Sequence, residues 1–349
     1  MKTINVDYQR TVLADGDFVT SAVIEGADNL NLKDISFSVA NKEIGTKEIT
    51  KLDGGKVKVT FEEDPSLALI QFGSNFQDEL IFPQIVMHIR NNDLPIETKF
   101  IEDPTIKKFE TKFFQNDRTT ISYYLYSSHK YNAKRPLVIF LHGSGERGYG
   151  DRYPLYGCDI PKKVAEYSEE HEDSVVLAPE ATWAKELNGW FRKDIRQVLM
   201  DLIKYTVESE NIDKNRIYLI GLSNGGAATW HFAENHPGLF AAIAPCCGYI
   251  FNDGKYFLTA PGKGRYMEPT DEEAERLASM PIWAFHAADD NVVNVNGTKH
   301  TVEAIRRAGN TQIKETIYKP GMCGDAPHGS WKLMAHEPDL LPWLFSQHK

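Results

Sequence analysis

Apolar and polar positions follow two rhythms along this chain. In residues 1 to 101 short runs alternate residue by residue: Phe18-Val-Thr-Ser-Ala-Val-Ile24, Ile35-Ser-Phe-Ser-Val39, Lys56-Val-Lys-Val-Thr-Phe61 and Gln84-Ile-Val-Met-His-Ile89. Clusters such as Gly26-Ala-Asp-Asn29 and Asp53-Gly-Gly55 separate them. Period-two alternation between turn signals, without a helical period, predicts an all-β sandwich. A polar break with a proline, Glu102-Asp-Pro104, ends it.

From about residue 102 to 349 the rhythm changes. Phe109–Phe114 and Ile121–Tyr126 read as an antiparallel opening hairpin. Leu137-Val-Ile-Phe-Leu141 is continuously apolar, as a parallel strand buried on both faces requires. Val175–Pro179, Ala241–Pro245, Ile282–Phe285 and Ile313–Tyr318 are further strands. Between them Asp194–Glu208 places Ile195, Val198, Leu199, Leu202, Ile203 and Thr206 on one helical face. Gly297–Ala308 and Leu333–Phe345 also read as helices. Strands alternating with helices predict an open α/β sheet whose ligands gather at the carboxyl ends of its strands.

Within that sheet, Arg216-Ile-Tyr-Leu-Ile-Gly-Leu-Ser-Asn-Gly-Gly226 runs from strand-like to helix-like through G-x-S-x-G. The motif alone arises by chance in about one chain in ten of this length. A strand before it and a helix after it sharpen it to a nucleophile elbow, with Ser223 at the tip of a turn too tight for side chains two residues away. An activated serine needs a base, and the base an orienting carboxylate, in the chain order Ser, Asp/Glu, His. Of the chain's 11 histidines, His328 in Gly324-Asp-Ala-Pro-His-Gly-Ser-Trp331 follows the last strand, where the base belongs. His231, His286 and His336 read as structural or solvent-facing. Asp290, preferred over Asp289, follows a buried strand and immediately precedes Asn291-Val-Val; either carboxylate could instead cap that turn.

An oxyanion hole would take the Asn224 N–H and one from the loop after Leu141, with Ser144 the first candidate and Gly145 the second. Gly143-x-Gly145-x-x-Gly148 imitates a dinucleotide fingerprint, but no acidic ribose partner follows at a strand end. Aromatic residues crowd the expected rim: Tyr153, Tyr156, Trp183, Trp190, Phe191, Tyr249, Phe251, Tyr256, Phe257 and Trp331. Trp190 and Trp331, in loops near strand ends, are the substrate-contact candidates. The long connection from Gly248 to Met280 could fold over the site as a lid or rim.

Charge and composition narrow the field. A formal net charge of −10 and the lack of any Lys/Arg block speak against nucleic acid. No stretch approaches a membrane span, and Met1–Tyr8 has no signal-peptide core, which reads as cytoplasmic unless a leader has been removed. Four cysteines without C-x-x-C spacing suit buried thiols better than zinc or a disulfide scaffold, although Cys246 or Cys247 could meet Cys323. The chemistry requires no cofactor and no metal.

His142-Gly-Ser-Gly-Glu-Arg-Gly148, Gly221-Leu-Ser-Asn-Gly-Gly226, Pro281-Ile-Trp-Ala-Phe-His286 with Asp290, and His328-Gly-Ser-Trp331 together resemble bacterial α/β-hydrolase esterases with an N-terminal immunoglobulin-like domain. That group is related to phospholipase/carboxylesterases, feruloyl esterases and polyhydroxybutyrate depolymerases. The resemblance implies an immunoglobulin-like sandwich over 1–101 and an α/β-hydrolase catalytic domain over 102–349. It makes Ser223 the nucleophile, Asp290 the orienting acid and His328 the base, acting on short-chain or aryl esters, feruloyl and acetyl included. The chain departs from relatives in having His286-Ala287 where His-Gly is frequent, and Asn294 where proline is frequent. Two rivals stand beside it: a prolyl oligopeptidase-type peptidase, and a glycan-binding protein with a relic hydrolase domain.

Overall fold

The computed structural model describes residues 3–26, 31–90, 94–128, 130, 133–183, 189–254, 257–259 and 264–349. Its first strands are β1 (Ile4–Leu13), β2 (Gly16–Glu25), β3 (Ile35–Val39), β4 (Lys42–Glu43), β5 (Thr46–Lys51) and β6 (Val57–Phe61). β7 (Ile70–Phe72), β8 (Asp78–Leu80), β9 (Ile85–Ile89) and β10 (Ile96–Ile101) follow. Among the described residues a five-stranded sheet runs β10-β1-β2-β6-β5, a three-stranded sheet runs β4-β3-β9, and β7-β8 form a separate hairpin. Ile4, Val6 and Tyr8 of β1, Ala22 and Ile24 of β2 and Val59 and Phe61 of β6 meet Phe37 of β3 and Met87 of β9 in one core. Two sheets sharing a core is the sandwich expected from alternation. β5 is the outer strand of the larger sheet, and all six of its residues are exposed.

Beyond Ile101 come β11 (Glu110–Gln115), β12 (Thr120–Ser127), β13 (Arg135–Leu141), α1 (Tyr153–Tyr156), α2 (Ile160–Glu170), β14 (Val175–Glu180) and α3 (Lys193–Ser209). They continue with β15 (Ile212–Leu222), α4 (Asn224–Asn235), β16 (Ala242–Cys246), the short β17 (Leu258–Thr259) and β18 (Arg265–Tyr266), and α5 (Asp271–Arg276). β19 (Ile282–Ala287), α6 (Asn296–Arg307), β20 (Ile313–Tyr318), α7 (Trp331–Met334) and α8 (Leu340–Phe345) complete the chain. An eight-stranded sheet runs β11-β12-β14-β13-β15-β16-β19-β20. β11, β12 and β14 pair antiparallel in turn, and every pair from β14 through β20 is parallel.

The central strands are buried on both faces, which is why they read as unbroken apolar runs. Leu137, Ile139 and Leu141 of β13 face a core shared with α3, α4, α5 and α6. Val138 and Phe140 face the opposite core with α2 and α8. One expectation fails at the end of the chain: Leu333–Phe345 is not a single helix but α7 and α8, separated at Ala335–Asp339. Pro338 explains the break, because it lacks the N–H that a continuous helix would need there.

The sandwich is fastened to the larger sheet through buried polar groups. Asp103 accepts from the Val12 and Thr105 N–H groups (3.1 and 2.9 Å) and pairs with Lys162 at 2.7 Å. Arg10, buried and paired with Asp17, lays its guanidinium 4.8 Å from the Tyr156 ring.

Candidate active site

β15 ends at Leu222 and α4 begins at Asn224, leaving Ser223 alone in the turn with φ 53° and ψ −113°. Few non-glycine residues hold such a backbone, and one that does is kept there by its surroundings. Those surroundings are tight. A Cβ on Gly225 would stand 1.9 Å from the Leu141 carbonyl oxygen, and one on Gly221 2.3 Å from the Gly225 carbonyl oxygen. Gly225→Ala is therefore expected to destabilise the fold by about 3 kcal/mol, read as a lowered urea midpoint at unchanged slope.

Three elements bring the polar side chains together at the carboxyl edge of the sheet. Ser223 Oγ donates to His328 Nε2 at 2.8 Å, and His328 Nδ1 donates to Asp290 Oδ2 at 2.7 Å. Asp290 follows β19, and His328 lies in the turn after β20. The Val292 and Val293 N–H groups donate to Asp290 Oδ1, both at 2.9 Å. His286, buried in β19, adds a second imidazole: its Nε2 is 3.2 Å from Asp290 Oδ2 and 3.0 Å from the Val293 carbonyl, so it carries the proton. Asp289, the alternative acid, instead accepts from Gly321 N–H at 2.8 Å.

Electrostatics sharpen the arrangement. Burial alone would raise the Asp290 carboxyl, but the hydrogen bonds from His286 and His328 hold it far below the usual carboxylate range. Burial works to lower His328, yet its net shift is upward. The neighbouring Cys247 thiol is pushed well above its ordinary value by burial, so it is neutral where imidazole titrates. The Asp290 carboxylate at Nδ1 is thus the effective cause. Since only neutral His328 can take a proton, ester turnover should fall as pH drops through a value above the ordinary imidazole figure of about 6.5. A pH profile of kcat/KM checks it; a limb well below 6 would contradict the assignment of the base.

The loop after β13 lies directly against the serine, a Cβ on Gly143 falling 3.6 Å from Ser223 Cβ. His142 supports this loop. Its Nδ1 donates to the Gly143 carbonyl at 2.6 Å and its Nε2 accepts from Ala181 N–H at 2.9 Å, and burial lowers its pKa to about 3. Asn224 heads α4, at the helix end where backbone N–H groups favour negative charge. Its side-chain oxygen accepts from Trp190 N–H at 3.1 Å.

Trp190 corrects an expectation. It is fully buried, meets the His142 ring at a tilt with centroids 4.9 Å apart and donates its indole N–H to the His142 carbonyl at 3.0 Å. It supports the loop from beneath and offers substrate no surface. Its place in a loop near a strand end suggested the rim; burial decided otherwise. Trp331 is half-buried and meets the His328 ring edge-on at 5.5 Å. Phe191, Tyr249 and Phe251 form a small core with Ala227, Met267 and Val293. Tyr256 and Ala260–Lys263 lie outside the described residues. All four cysteines are free and buried.

Two neighbours escaped sequence reasoning. His286 reads as structural from the sequence, and nothing in its strand signals the contact with Asp290. Cys247 lies behind the nucleophile, its Sγ 3.3 Å from Ser223 N. Donor atoms of Cys247, Asp290 and His328 fall within 4.8 Å of one another. A metal there would have to displace a His328 hydrogen bond and deprotonate a thiol that burial keeps protonated.

Comparison with known proteins bears on the fold that carries this site. A crystal structure of a thermostable esterase superposes with a TM-score of 0.81 at 25% identity, covering 99% of each chain. The larger unit has the α/β-hydrolase fold. The profile of the prolyl oligopeptidase family (Peptidase_S9) matches residues 181–322 of it. Feruloyl esterase B of Thermothelomyces thermophilus is 25% identical over 146 residues, 41% of this chain and 49% of that protein, so the match spans about half the length of that relative. A ferulic acid esterase structure shares the fold at TM-score 0.50 and 16% identity, over 68% of this chain and 97% of its own. No helix among the described residues of the hydrolase or the sandwich is long and apolar enough to cross a membrane.

Proposed function

We propose that the protein is a serine carboxylesterase acting through an acyl-enzyme. The observation that carries this is the unbroken hydrogen-bonded series from Ser223 through His328 to Asp290. His328 takes the Ser223 proton as Oγ attacks the ester carbonyl, and the proton passes to the departing alcohol. Water, activated by the same imidazole, then releases the acid. Asn224 N–H, with Ser144 or Gly145 N–H, holds the oxyanion. The substrates are short-chain or aryl esters, feruloyl and acetyl among them; the names of the relatives favour the feruloyl class. Trp331 beside the base is the side chain placed to meet them. We assign residues 1–101 to an immunoglobulin-like domain and 102–349 to the catalytic domain.

The prolyl oligopeptidase profile gives one reason to weigh a peptidase. Against it, a sandwich rather than a propeller precedes the hydrolase. Two measurements test the proposal together. A fluorophosphonate probe should label Ser223, and p-nitrophenyl acetate through decanoate and methyl ferulate should be hydrolysed while a prolyl p-nitroanilide is not. Faster cleavage of the anilide would move the chain to the peptidases, and no labelling would remove it from serine hydrolases, leaving a glycan-binding relic.

A further inference from the structure

The loop that carries the second oxyanion donor is held by three successive carbonyls. That of Gly143 accepts from His142 Nδ1, that of Ser144 from Arg147 Nε, and that of Gly145 from the Asp78 N–H at 2.7 Å. The last partner belongs to the sandwich, in β8. Arg147 is itself fixed from the sandwich: its Nη2 donates to the Phe76 carbonyl at 2.7 Å, and its own carbonyl accepts from Gln77 Nε2 at 2.8 Å. A peptide unit is planar, so fixing a carbonyl fixes the N–H of the next residue, which faces the opposite way. The Ser144 carbonyl therefore sets Gly145 N–H, and the Gly143 carbonyl sets Ser144 N–H.

The hairpin is built to aim those groups. Gly73 N–H donates to the Gln77 carbonyl at 2.8 Å, and Phe76 N–H donates to the Gly73 carbonyl at 3.1 Å. Phe76 adopts φ 61° although its side chain is 68% exposed and adds nothing to the core. A bulky residue held left-handed is strained and persists only where its surroundings hold it. What the conformation provides here is the direction of the Phe76 carbonyl toward Arg147. The fit is close on the other side too, since a Cβ on Gly145 would fall 2.6 Å from Asp78 Oδ1.

We propose that the β7–β8 hairpin of the sandwich is part of the catalytic apparatus, with Phe76, Gln77 and Asp78 as positioning residues that set the oxyanion loop through Arg147 and Gly145. This rests on the serine hydrolase reading above. It gives the sandwich a role in the reaction beyond that of a spacer or a glycan-binding module.

The test compares full-length Gln77→Ala and Arg147→Lys with wild type; lysine lacks the planar fork by which Arg147 holds the Ser144 and Phe76 carbonyls through two different nitrogens. On p-nitrophenyl acetate, kcat should fall about tenfold or more with KM within about twofold, the signature of a donor used only in the transition state. An aryl trifluoromethyl ketone, which forms the oxyanion at Ser223, should lose affinity by the same factor at an unchanged melting temperature. The rate of fluorophosphonate labelling at Ser223 reads the same donor without an ester, and should slow in parallel. Variants that match wild type in kcat, ketone affinity and labelling rate overturn the inference, as does a loss that only tracks the folded fraction. A wild type that labels but hydrolyses no ester sinks the esterase reading alone, and the labelling rates still decide this one.

Discussion

Ser223→Ala is expected to lower kcat on p-nitrophenyl acetate by about 10⁶-fold, the loss typical when the nucleophile of a Ser–His–Asp hydrolase is removed. The size follows from the geometry. Among the described residues Ser223 Oγ is the one side-chain oxygen bonded to His328 Nε2, so none of them takes its place. The fold should tolerate the change, because alanine keeps the backbone at φ 53° and only a hydroxyl is lost. Circular dichroism and melting temperature should match wild type. Turnover above about 1% of wild type would mean that the ester is cleaved elsewhere.

Asp290→Asn is the second large effect, about 10⁴-fold in kcat. The Val292 and Val293 amides would keep an acceptor at Oδ1, which directs the new amide –NH₂ toward His328 Nδ1 and His286 Nε2. Two imidazole N–H groups would then face a donor. His328 can escape only by moving its proton to Nε2, the tautomer that cannot accept from Ser223. His286 is buried and held by Thr298 and the Val293 carbonyl, so it has no such freedom. A stability loss of about 1–3 kcal/mol should accompany the catalytic one, from the unsatisfied buried donor. Nitrogen NMR of the two imidazoles reads the tautomers directly, and an unshifted His328 proton would refute the account.

Much of this site was legible because its determinants are local. The elbow needs small residues at 221 and 225, and β13 and β15 must be apolar on both faces, so composition betrays them. Asp290 and His328 were placed by their order after the nucleophile strand. What stayed hidden depends on distant packing. β1 alternates clearly from Ile4 to Tyr8, but Arg10 occupies an inward position where an apolar residue is expected, and Asp17 with the Tyr156 and Phe82 rings makes that tolerable. Trp190 looked like a rim residue because loop tryptophans often are; His142, remote in sequence, claims its indole. The hairpin of residues 70–80 has no pattern that announces its partner, since backbone carbonyls of the oxyanion loop carry the contact.

The outer strand β5 has a consequence of another kind. A fully exposed strand with an open hydrogen-bonding edge is a template on which further copies could add, ending in fibres. Its sequence, Thr46-Lys-Glu-Ile-Thr-Lys51, sets Lys47, Glu48 and Lys51 along that edge. An identical strand arriving in register would stack lysine on lysine and glutamate on glutamate at about 5 Å, stripping each of water. The charges that add nothing to the core of the sandwich thus guard its open side against self-propagating growth.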